Sequence, residues 1–365
     1  MTLSTLSSGV DTLYVSTKGT VRPALWPALE VIKRDAAEAS EPLMFEWPTT
    51  GRMMALKPHG LRVHGYWFTS PDFELLMGTN ERFPPVMVQL HSAFLHSVGV
   101  DAAVDAVARL LVEDIFAWPP ELNASRLDLY ADVQGWELEL TDLRRFVSLG
   151  RARRGFAKIE STEAFATGHR LTGFRFGTGG GLMVRVYDKT IEIGRRGQAW
   201  LPDLWGERQS ERPVWRIEAQ FKRAALVEFG LRTVDETLAR MQALWDYMTG
   251  TWLSYRRPTE NQLERQWPID PVWDAVRQIE IAPTSVAVVR RRLQEAEEQR
   301  LIQGGLGYLT SWAALRGHRE LDATMEAIKP ILVRYLESRE STFRDEVKRK
   351  IDRRLDVSQP EDSAA

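Results

Sequence analysis

Residues Phe174–Gly194 read FRFGTGGGLMVRVYDKTIEIG, and this stretch decides the fold of the chain around it. Two short runs of alternating apolar and polar side chains flank a glycine-rich segment at residues 177–181. Glycine adopts the positive φ angles of tight turns at no steric cost, so the stretch predicts a β-hairpin. A phosphate-binding loop of the P-loop kind would end in GK[ST] and open a helix, so these glycines are interpreted as a turn.

The second strand of this hairpin carries an unusual group of polar side chains. Alternation with period two places Arg185, Tyr187 and Lys189 on one face and two valines on the other. The carboxylates of Asp188 and Glu192 follow closely in the sequence. Taken alone, the hairpin favours an ordinary interpretation, in which Tyr187 is a half-exposed strand tyrosine among solvated charges.

Composition limits the class of protein. The chain has 365 residues, 44% of them hydrophobic, which is enough for a sizeable core and two or three domains. Cysteine is absent, so disulfides and thiolate metal sites are excluded, and a cytoplasmic location is expected. We see no secretion signal and no apolar run of membrane-spanning length, so no membrane partner is expected. The formal net charge of −2 counts against a uniformly basic nucleic-acid binder, but local basic clusters would suffice for phosphate contacts.

Strand-period and helix-period segments are mixed along the chain, which predicts an α+β protein. Asp101–Phe116 is strongly amphipathic, and Thr233–Tyr255 is predicted as one long helix that begins with a Thr-x-x-Glu capping box. Pro85–Ser97 is predicted as a strand, and Gly155–Glu160 as another. Prolines and mixed charges interrupt the pattern at Arg256–Asp270.

This interruption predicts a domain boundary. The prediction is an N-terminal domain over residues 1–257 that contains the hairpin, a helical C-terminal domain over 258–355 and a disordered tail over 356–365. The charged helices of the second domain include two basic clusters, at Arg290–Arg292 and Lys348–Arg354. Such clusters would contact phosphates or would simply form a solvated helix face.

Three predicted strands each carry polar residues on one face beside an apolar face. Their sequences are RLDLYAD at Arg126–Asp132, VRVYDKTIE at Val184–Glu192 and WRIEAQFKR at Trp215–Arg223. In this order, the three motifs resemble those of the Rep_trans-type replication initiation factors of rolling-circle plasmids, a family that includes relaxases of integrative conjugative elements. The opening GVDTLYVS at Gly9–Ser16 resembles the conjugative-element members. The resemblance covers about Gly9–Leu253, and its motifs become specific only as an ordered set of three.

The resemblance implies a fold and a function. The fold would be a central antiparallel sheet with flanking helices, palm-like as in rolling-circle initiators. The function would be site-specific nicking and strand transfer of DNA, in which a tyrosine attacks one phosphate and stays bound to the 5′ end. This chemistry initiates rolling-circle replication of a plasmid or mobile element, and conjugative relaxases use the same chemistry. The partners implied are single-stranded and duplex origin DNA, a host helicase and polymerase, and a second copy of the chain in a homodimer.

Residue by residue, the resemblance maps the nucleophile onto Tyr187. It maps the acidic metal ligands best onto Asp128 and Glu218, with Asp132 and Glu192 as further candidates.

The chemistry of these residues agrees with that assignment. A free tyrosine titrates near pH ~10, so cations such as Arg185 and Lys189 on the same face would favour the phenolate. A hard divalent cation held by carboxylates would draw charge from the oxygens of the scissile phosphate, and Mg²⁺ or Mn²⁺ suits an oxygen-only site.

Other interpretations remain open at this point. Asp128 and Glu218 could instead pair with Arg126 and Arg216 in ion pairs on a solvated sheet face. A metal-dependent nuclease that uses water, or a non-enzymatic DNA-binding protein, would also agree with the pattern.

The histidines point to ordinary structural roles. His91 and His96, like His59 and His64, are five residues apart, so on a strand the two members of each pair would face opposite ways, which does not suit a metal site.

Overall fold

The structure is a computed structural model that describes residues 3–149, 162–167, 170–177, 180–196, 200–206, 212–281 and 290–356. The predicted strand at Gly155–Glu160, part of the glycine turn and nearly all of the predicted tail lie outside the described residues. The chain divides into two compact units, Met1–Leu301 and Ile302–Ala365. The predicted boundary between residues 257 and 258 falls inside the first unit, because Trp273, Val276 and Ile281 belong to its hydrophobic core.

Antiparallel pairing of strands dominates the first unit. The strands are β1 Ser4–Lys18, β2 Leu43–Glu46, β3 Met53–Leu56, β4 Tyr66–Thr69, β5 Phe73–Met77, β6 Val86–Leu90, β7 Glu121–Gln134, β8 Phe146–Ser148, β9 Thr162–Thr167, β10 Arg170–Phe176, β11 Leu182–Asp188, β12 Trp215–Lys222 and β13 Leu253–Tyr255. Within the described residues, eleven of them form one sheet in the order β2-β3-β4-β5-β6-β1-β7-β12-β11-β10-β9, and β8 pairs with β13. The predicted hairpin is confirmed as β10 and β11.

The helices complete an α+β fold with a large antiparallel sheet and a helical C-terminal region, and this predicted fold class is confirmed. They are α1 Leu25–Ala39, α2 Ser92–Val98, α3 Val100–Leu110, α4 Lys189–Arg196, α5 Leu201–Leu204, α6 Arg223–Glu228, α7 Val234–Leu238, α8 Met241–Tyr247, α9 Pro271–Arg277, α10 Arg290–Arg316, α11 Leu321–Ser338 and α12 Phe343–Asp356. None of the helices in the described part of the chain combines the length and hydropathy that a bilayer crossing requires.

Two predicted elements differ in the structure. The strand predicted over Pro85–Ser97 ends at Leu90, and the remainder forms α2. The helix predicted over Thr233–Tyr255 is divided into α7, α8 and a π-helical turn at Met248–Trp252, after which β13 begins. Its capping box is present as predicted, since Thr233 and Glu236 exchange side-chain hydrogen bonds with each other's backbone N–H.

The sheet is built from two similar halves that meet at β1 and β7. In each half the first strand in sequence is central, the last strand lies beside it, and the earlier strands follow outward: β1-β6-β5-β4-β3-β2 and β7-β12-β11-β10-β9, so the first half has one strand more. In each half the last strand is followed by helices that end in a π-helical turn, at Leu111–Ile115 and at Met248–Trp252. The chain therefore repeats one architecture twice, although its sequence shows no internal repeat.

One face of this sheet forms the core, and the other carries polar residues. Strand residues such as Leu13 and Ile217 are fully buried in one cluster with helix residues such as Leu29, Val107 and Trp245. Because side chains alternate along a strand, the residues between them project from the opposite face. This second face positions the candidate site.

The second unit is helical in its described part. It contains the end of α10, followed by α11 and α12. Pro330, which predicts a kink or break, lies inside α11, and the helix continues through it to Ser338. The side chains of Arg290–Arg292 and most of the Lys348–Arg354 cluster lie outside the described residues.

Candidate active site

The three predicted motifs lie on adjacent strands of the sheet, β7, β12 and β11. In the register of these strands Glu218 lies opposite Tyr130 on one side and opposite Arg185 on the other. Arg216 likewise lies between Asp132 and Tyr187. The alternation predicted from the sequence is observed, and it brings the polar residues of all three motifs to the same face.

Tyr187, Glu218 and Arg185 form a hydrogen-bonded chain. The hydroxyl of Tyr187 donates to Oε2 of Glu218 at 2.9 Å. The other carboxylate oxygen, Oε1, forms an ion pair with Nη2 of Arg185. Glu218 is 1% exposed, whereas a third of the Arg185 side chain reaches solvent. A buried carboxylate is thus held in place by a guanidinium and accepts a hydrogen bond from a phenol.

The environment of the phenol differs from the sequence-based expectation. Burial raises the pKa of Tyr187 well above its usual value, and the charge of Glu218 raises it further. Arg185 and Lys189 were expected to favour the phenolate, but the guanidinium of Arg185 is engaged by Glu218. Tyr187 is therefore a neutral hydrogen-bond donor to Glu218.

Asp128 lies in the same face, almost completely buried. Nε of Arg126 donates to its Oδ1 at 2.8 Å, and Nη2 of Arg126 forms an ion pair with Oδ2. One of the two ion pairs considered from the sequence is therefore present, whereas Glu218 pairs with Arg185 and not with Arg216. Burial raises the pKa of Asp128 to about 7, Arg126 opposes this shift, and the nearby charge of Glu218 adds to it.

Asp128 and Glu218 place two carboxylates near each other on the polar face, and each of them is in an ion pair with an arginine. They lie on neighbouring strands and two positions apart in register, since Asp128 is opposite Gln220, so their side chains are diagonal neighbours. Their mutual repulsion contributes to the raised pKa of Asp128, and a bound cation would relieve it. Among the described residues no group of three or more acidic or histidine side chains surrounds a cation-sized position. Mg²⁺ commonly takes one or two carboxylates and completes its coordination with water and substrate phosphate, so two carboxylates agree with its chemistry.

Asp132 and Glu192 are each held by a cation. Nε and Nη2 of Arg216 donate to the two oxygens of Asp132 at 2.6 and 2.7 Å, and Nε1 of Trp205 donates to it at 2.8 Å. Glu192 accepts from Nζ of Lys189 at 2.5 Å. The structure therefore brings Glu218 into contact with Tyr187, whereas Asp128, Asp132 and Glu192 are held in ion pairs with Arg126, Arg216 and Lys189.

Lys189 does not continue the strand of Tyr187 as the alternation predicted. β11 ends at Asp188, and Lys189 is the first residue of α4. Its ammonium nonetheless lies 5.7 Å from the ring centroid of Tyr187, and its side chain is 4% exposed. The cation remains close to the phenol, but through a helix start and not through the strand face.

Asp11 belongs to the same buried network and was not assigned from the sequence. Its Oδ1 accepts from Nη1 of Arg216 at 2.7 Å and from the hydroxyl of Ser92 at 3.0 Å. Burial alone would raise the pKa of Asp11, but the guanidinium of Arg216 holds it far below its usual range. In the sequence, the one feature that could have indicated Asp11 is that it is the single acidic residue of the strand-favouring run GVDTLYVS. In the structure it lies at a register shift of β1.

The histidines lie apart from the carboxylate pair. His91 precedes α2, and its Nδ1 lies 3.2 Å from the carbonyl oxygen of Pro71. His96 is buried in α2 against the rings of Tyr130 and Trp200, each with its centroid 5.2 Å away. These contacts agree with a structural role for both residues.

A groove of about 270 Å³ opens beside Tyr187. Arg185, Tyr187 and residues of α4 line one side, and residues of β9 and β10 line the other. The phenol and the exposed edge of Arg185 are therefore accessible to a ligand from this groove.

Gly173 sets how closely β10 approaches Tyr187. A Cβ at Gly173 would lie 2.7 Å from Cβ of Tyr187 and 2.8 Å from the backbone oxygen of Val186. We expect Gly173→Ala to lower the free energy of unfolding by about 1–3 kcal/mol and to displace Tyr187, because neither contact can be relieved without moving the backbone. Urea unfolding measures the loss. Gly65→Ala is the control, since a Cβ there meets no atom within 4 Å, and equal stability of the two variants would contradict the steric explanation.

Comparisons with known proteins find a distant structural likeness. No protein-family model matches the sequence, and no curated protein matches it. Among solved structures, a rolling circle replication initiator protein from Geobacillus stearothermophilus matches with a TM-score of 0.44 and 15% sequence identity, over 78% of this chain and 100% of that chain. A likeness at this level is too distant to assign roles to residues.

Proposed function

We propose that this chain nicks single-stranded DNA at a specific site and transfers the strand through a covalent 5′-phosphotyrosine at Tyr187. The purpose would be to initiate rolling-circle replication of a plasmid or mobile element, or conjugative transfer by the same chemistry. The observation that carries the proposal is the hydrogen-bonded series of Tyr187, Glu218 and Arg185. The phenol lies 2.9 Å from a buried carboxylate that Arg185 orients, beside an accessible groove.

The proposed reaction follows from these contacts. Glu218 accepts the proton of Tyr187 as the phenol oxygen attacks the phosphorus atom. A bond forms between the phenol oxygen and phosphorus, the bond from phosphorus to the 3′ oxygen breaks, and that oxygen takes a proton from water. The covalent phosphotyrosine keeps a phosphodiester-type bond, so a free 3′-hydroxyl can later reverse the step and reseal the strand.

Arg185 orients Glu218 throughout this sequence. Its partly exposed guanidinium also faces the groove, where its remaining N–H groups can donate to a phosphate oxygen.

Asp128 and Glu218 would hold the proposed Mg²⁺ or Mn²⁺ ion. When bound, this ion supplies charge neutralisation at the non-bridging oxygens of the scissile phosphate. In the structure, Arg126 neutralises Asp128 and Arg185 neutralises Glu218. The two carboxylates therefore have cationic partners without the ion.

The remaining partners are proposed from the resemblance of the three strand motifs to rolling-circle initiators. They are duplex origin DNA, which the C-terminal helices would contact, a host helicase and polymerase, and a second copy of the chain.

One observation favours a second candidate function, a metal-dependent nuclease with water as the nucleophile. The pKa of Tyr187 is raised well above its usual value, and a neutral phenol is a poor nucleophile. In that case Glu218 would accept a proton from water, and Tyr187 would only position the carboxylate.

A search for the covalent adduct tests the proposal. The protein is incubated with Mg²⁺ or Mn²⁺ and single-stranded oligonucleotides from around its own gene, and the products are analysed by peptide mass spectrometry. We expect a nucleotide-modified peptide with the modification on Tyr187. Cleavage without an adduct would indicate the water-dependent nuclease. Binding without any cleavage would indicate a DNA-binding protein.

A further inference from the structure

The polar face of the sheet continues past the candidate site onto the first half of the molecule. Tyr14 lies between the buried residues Leu13 and Val15 of β1, and Trp67 lies between the buried residues Tyr66 and Phe68 of β4. Their neighbours point into the core, so both aromatic rings belong to the opposite face, and both are partly exposed.

Tyr14 joins the two halves directly. It lies opposite Arg126 of β7, two residues before Asp128, so the face of the candidate site and the face of the first half are continuous. From β11, which carries Tyr187, to β4, which carries Trp67, the sheet crosses six strand spacings, or about 29 Å.

Each of these aromatic rings has a cation beside it. The guanidinium carbon of Arg126 lies 5.0 Å from the ring centroid of Tyr14, and Nζ of Lys57 lies 5.7 Å from that of Trp67. Arg62, an exposed residue of the loop before β4, lies close enough to Tyr14 to influence its titration. Aromatic rings that alternate with cations on an open surface are the features that bind single strands, because bases stack on the rings and phosphates contact the cations.

The second half repeats this arrangement around the candidate site. Arg185 lies over the ring of Tyr187 at 5.6 Å, and Arg175 lies over the exposed ring of Phe165 at 5.3 Å. The strands of the first half that correspond to β11 and β12 are β5 and β6. They present other residues to this face, namely Glu74, Leu76, Met87 and Gln89. The first half thus keeps the aromatic–cation pairs on a partly exposed face, with a different set of residues where the second half has its candidate chemistry.

We infer that the first half of the sheet is a platform for the single-stranded DNA that flanks the scissile phosphate. Unpaired bases stack on Tyr14 and Trp67, and the backbone contacts Lys57, Arg62 and Arg126. The inference rests on the proposed function, because the continuity with Tyr187 identifies which strand occupies the platform. A duplex is a poorer occupant, since paired bases cannot place their faces on these rings.

Binding measurements without metal test this platform. A fluorescently labelled single-stranded oligonucleotide is titrated with the protein in EDTA, and the Kd is read from fluorescence anisotropy. We expect Trp67→Leu and Tyr14→Leu each to weaken binding by roughly 5- to 100-fold, the loss of one stacked base. Trp67→Phe and Tyr14→Phe keep a ring and should restore most of the affinity. The matched control is Trp118→Leu, at a side chain that is 79% exposed in the connection before β7, and it should bind like the unaltered protein. Thermal unfolding of each variant verifies that the fold is retained.

The outcomes separate this inference from the proposed function. Unchanged affinity in both leucine variants overturns the platform, even if the adduct on Tyr187 is found. Weakened binding in both leucine variants with restored binding in the phenylalanine variants supports the platform, even if no adduct forms. The same titrations are made with the duplex of that oligonucleotide, and equal weakening of single-stranded and duplex binding in the leucine variants would overturn base stacking as the mechanism.

Discussion

A Tyr187→Phe protein is expected to form no covalent DNA adduct and to nick single-stranded DNA roughly 10⁴-fold more slowly than the unaltered protein. The substitution removes one oxygen atom, which is both the proposed nucleophile and the donor to Glu218 at 2.9 Å. The ring and its contacts with Arg185 and Lys189 are preserved in the variant, so binding of the oligonucleotide should change by only a few-fold. Gel analysis of nicked product, with anisotropy for binding, measures both quantities.

Tyr66→Phe is the matched control for this loss. The hydroxyl of Tyr66 also donates to a carboxylate, Oε1 of Glu30 at 2.6 Å, but it lies in the first half of the sheet. Nicking should be retained in this variant. If Tyr187→Phe still cleaved DNA at a comparable rate with metal present, the covalent mechanism would be abandoned in favour of hydrolysis by water.

Arg216→Met is expected to lower the free energy of unfolding by about 3–5 kcal/mol, and the melting temperature by roughly 10 °C. Arg216 is fully buried and donates to Asp132 and Asp11 at 2.6–2.7 Å, so its removal leaves two carboxylates without their cation. A buried charge that has lost its partner is among the most destabilising changes in a protein. Urea or thermal unfolding measures the loss.

Two further variants give this prediction its control. Arg277→Met removes an exposed arginine that pairs with Asp274, and a solvated pair of this kind contributes about 1 kcal/mol or less. Arg216→Met combined with Asp132→Leu should recover part of the stability, because it removes one uncompensated charge. A loss below about 1 kcal/mol in Arg216→Met would show that the network around Asp132 is not a structural element, and would reopen the metal-ligand role considered for Asp132.

The local pattern of side chains was sufficient to predict which residues share a face and where the hairpin lies in the candidate site. Alternation along the strand predicted that Arg185 and Tyr187 share a face, and glycines predicted the hairpin before them; both are observed. The capping box of Thr233 and Glu236 was also predictable, since it needs four consecutive positions. These features depend on backbone periodicity and on short-range hydrogen bonds, which a sequence displays directly.

Which arginine pairs with which carboxylate could not be predicted from the sequence pattern. Glu218 pairs with Arg185 of one neighbouring strand, and Arg216 pairs with Asp132 of the other, because the order β7-β12-β11 and its register decide which residues lie opposite one another. Asp11 of β1 pairs with Arg216, although the two residues are more than 200 positions apart in the sequence. The repeat of one architecture in both halves is likewise invisible in the residues themselves.

By itself, the sequence determined which residues project from one side of each strand and where the hairpin turns. Only the tertiary structure shows that the hydroxyl of Tyr187 donates a hydrogen bond to Glu218, that Asp132 is held by Arg216, and that the face of Tyr14 and Trp67 continues from the candidate site. The physical reason is that periodicity is a property of one strand, whereas register and strand order are set by burial of the whole sheet against its helices.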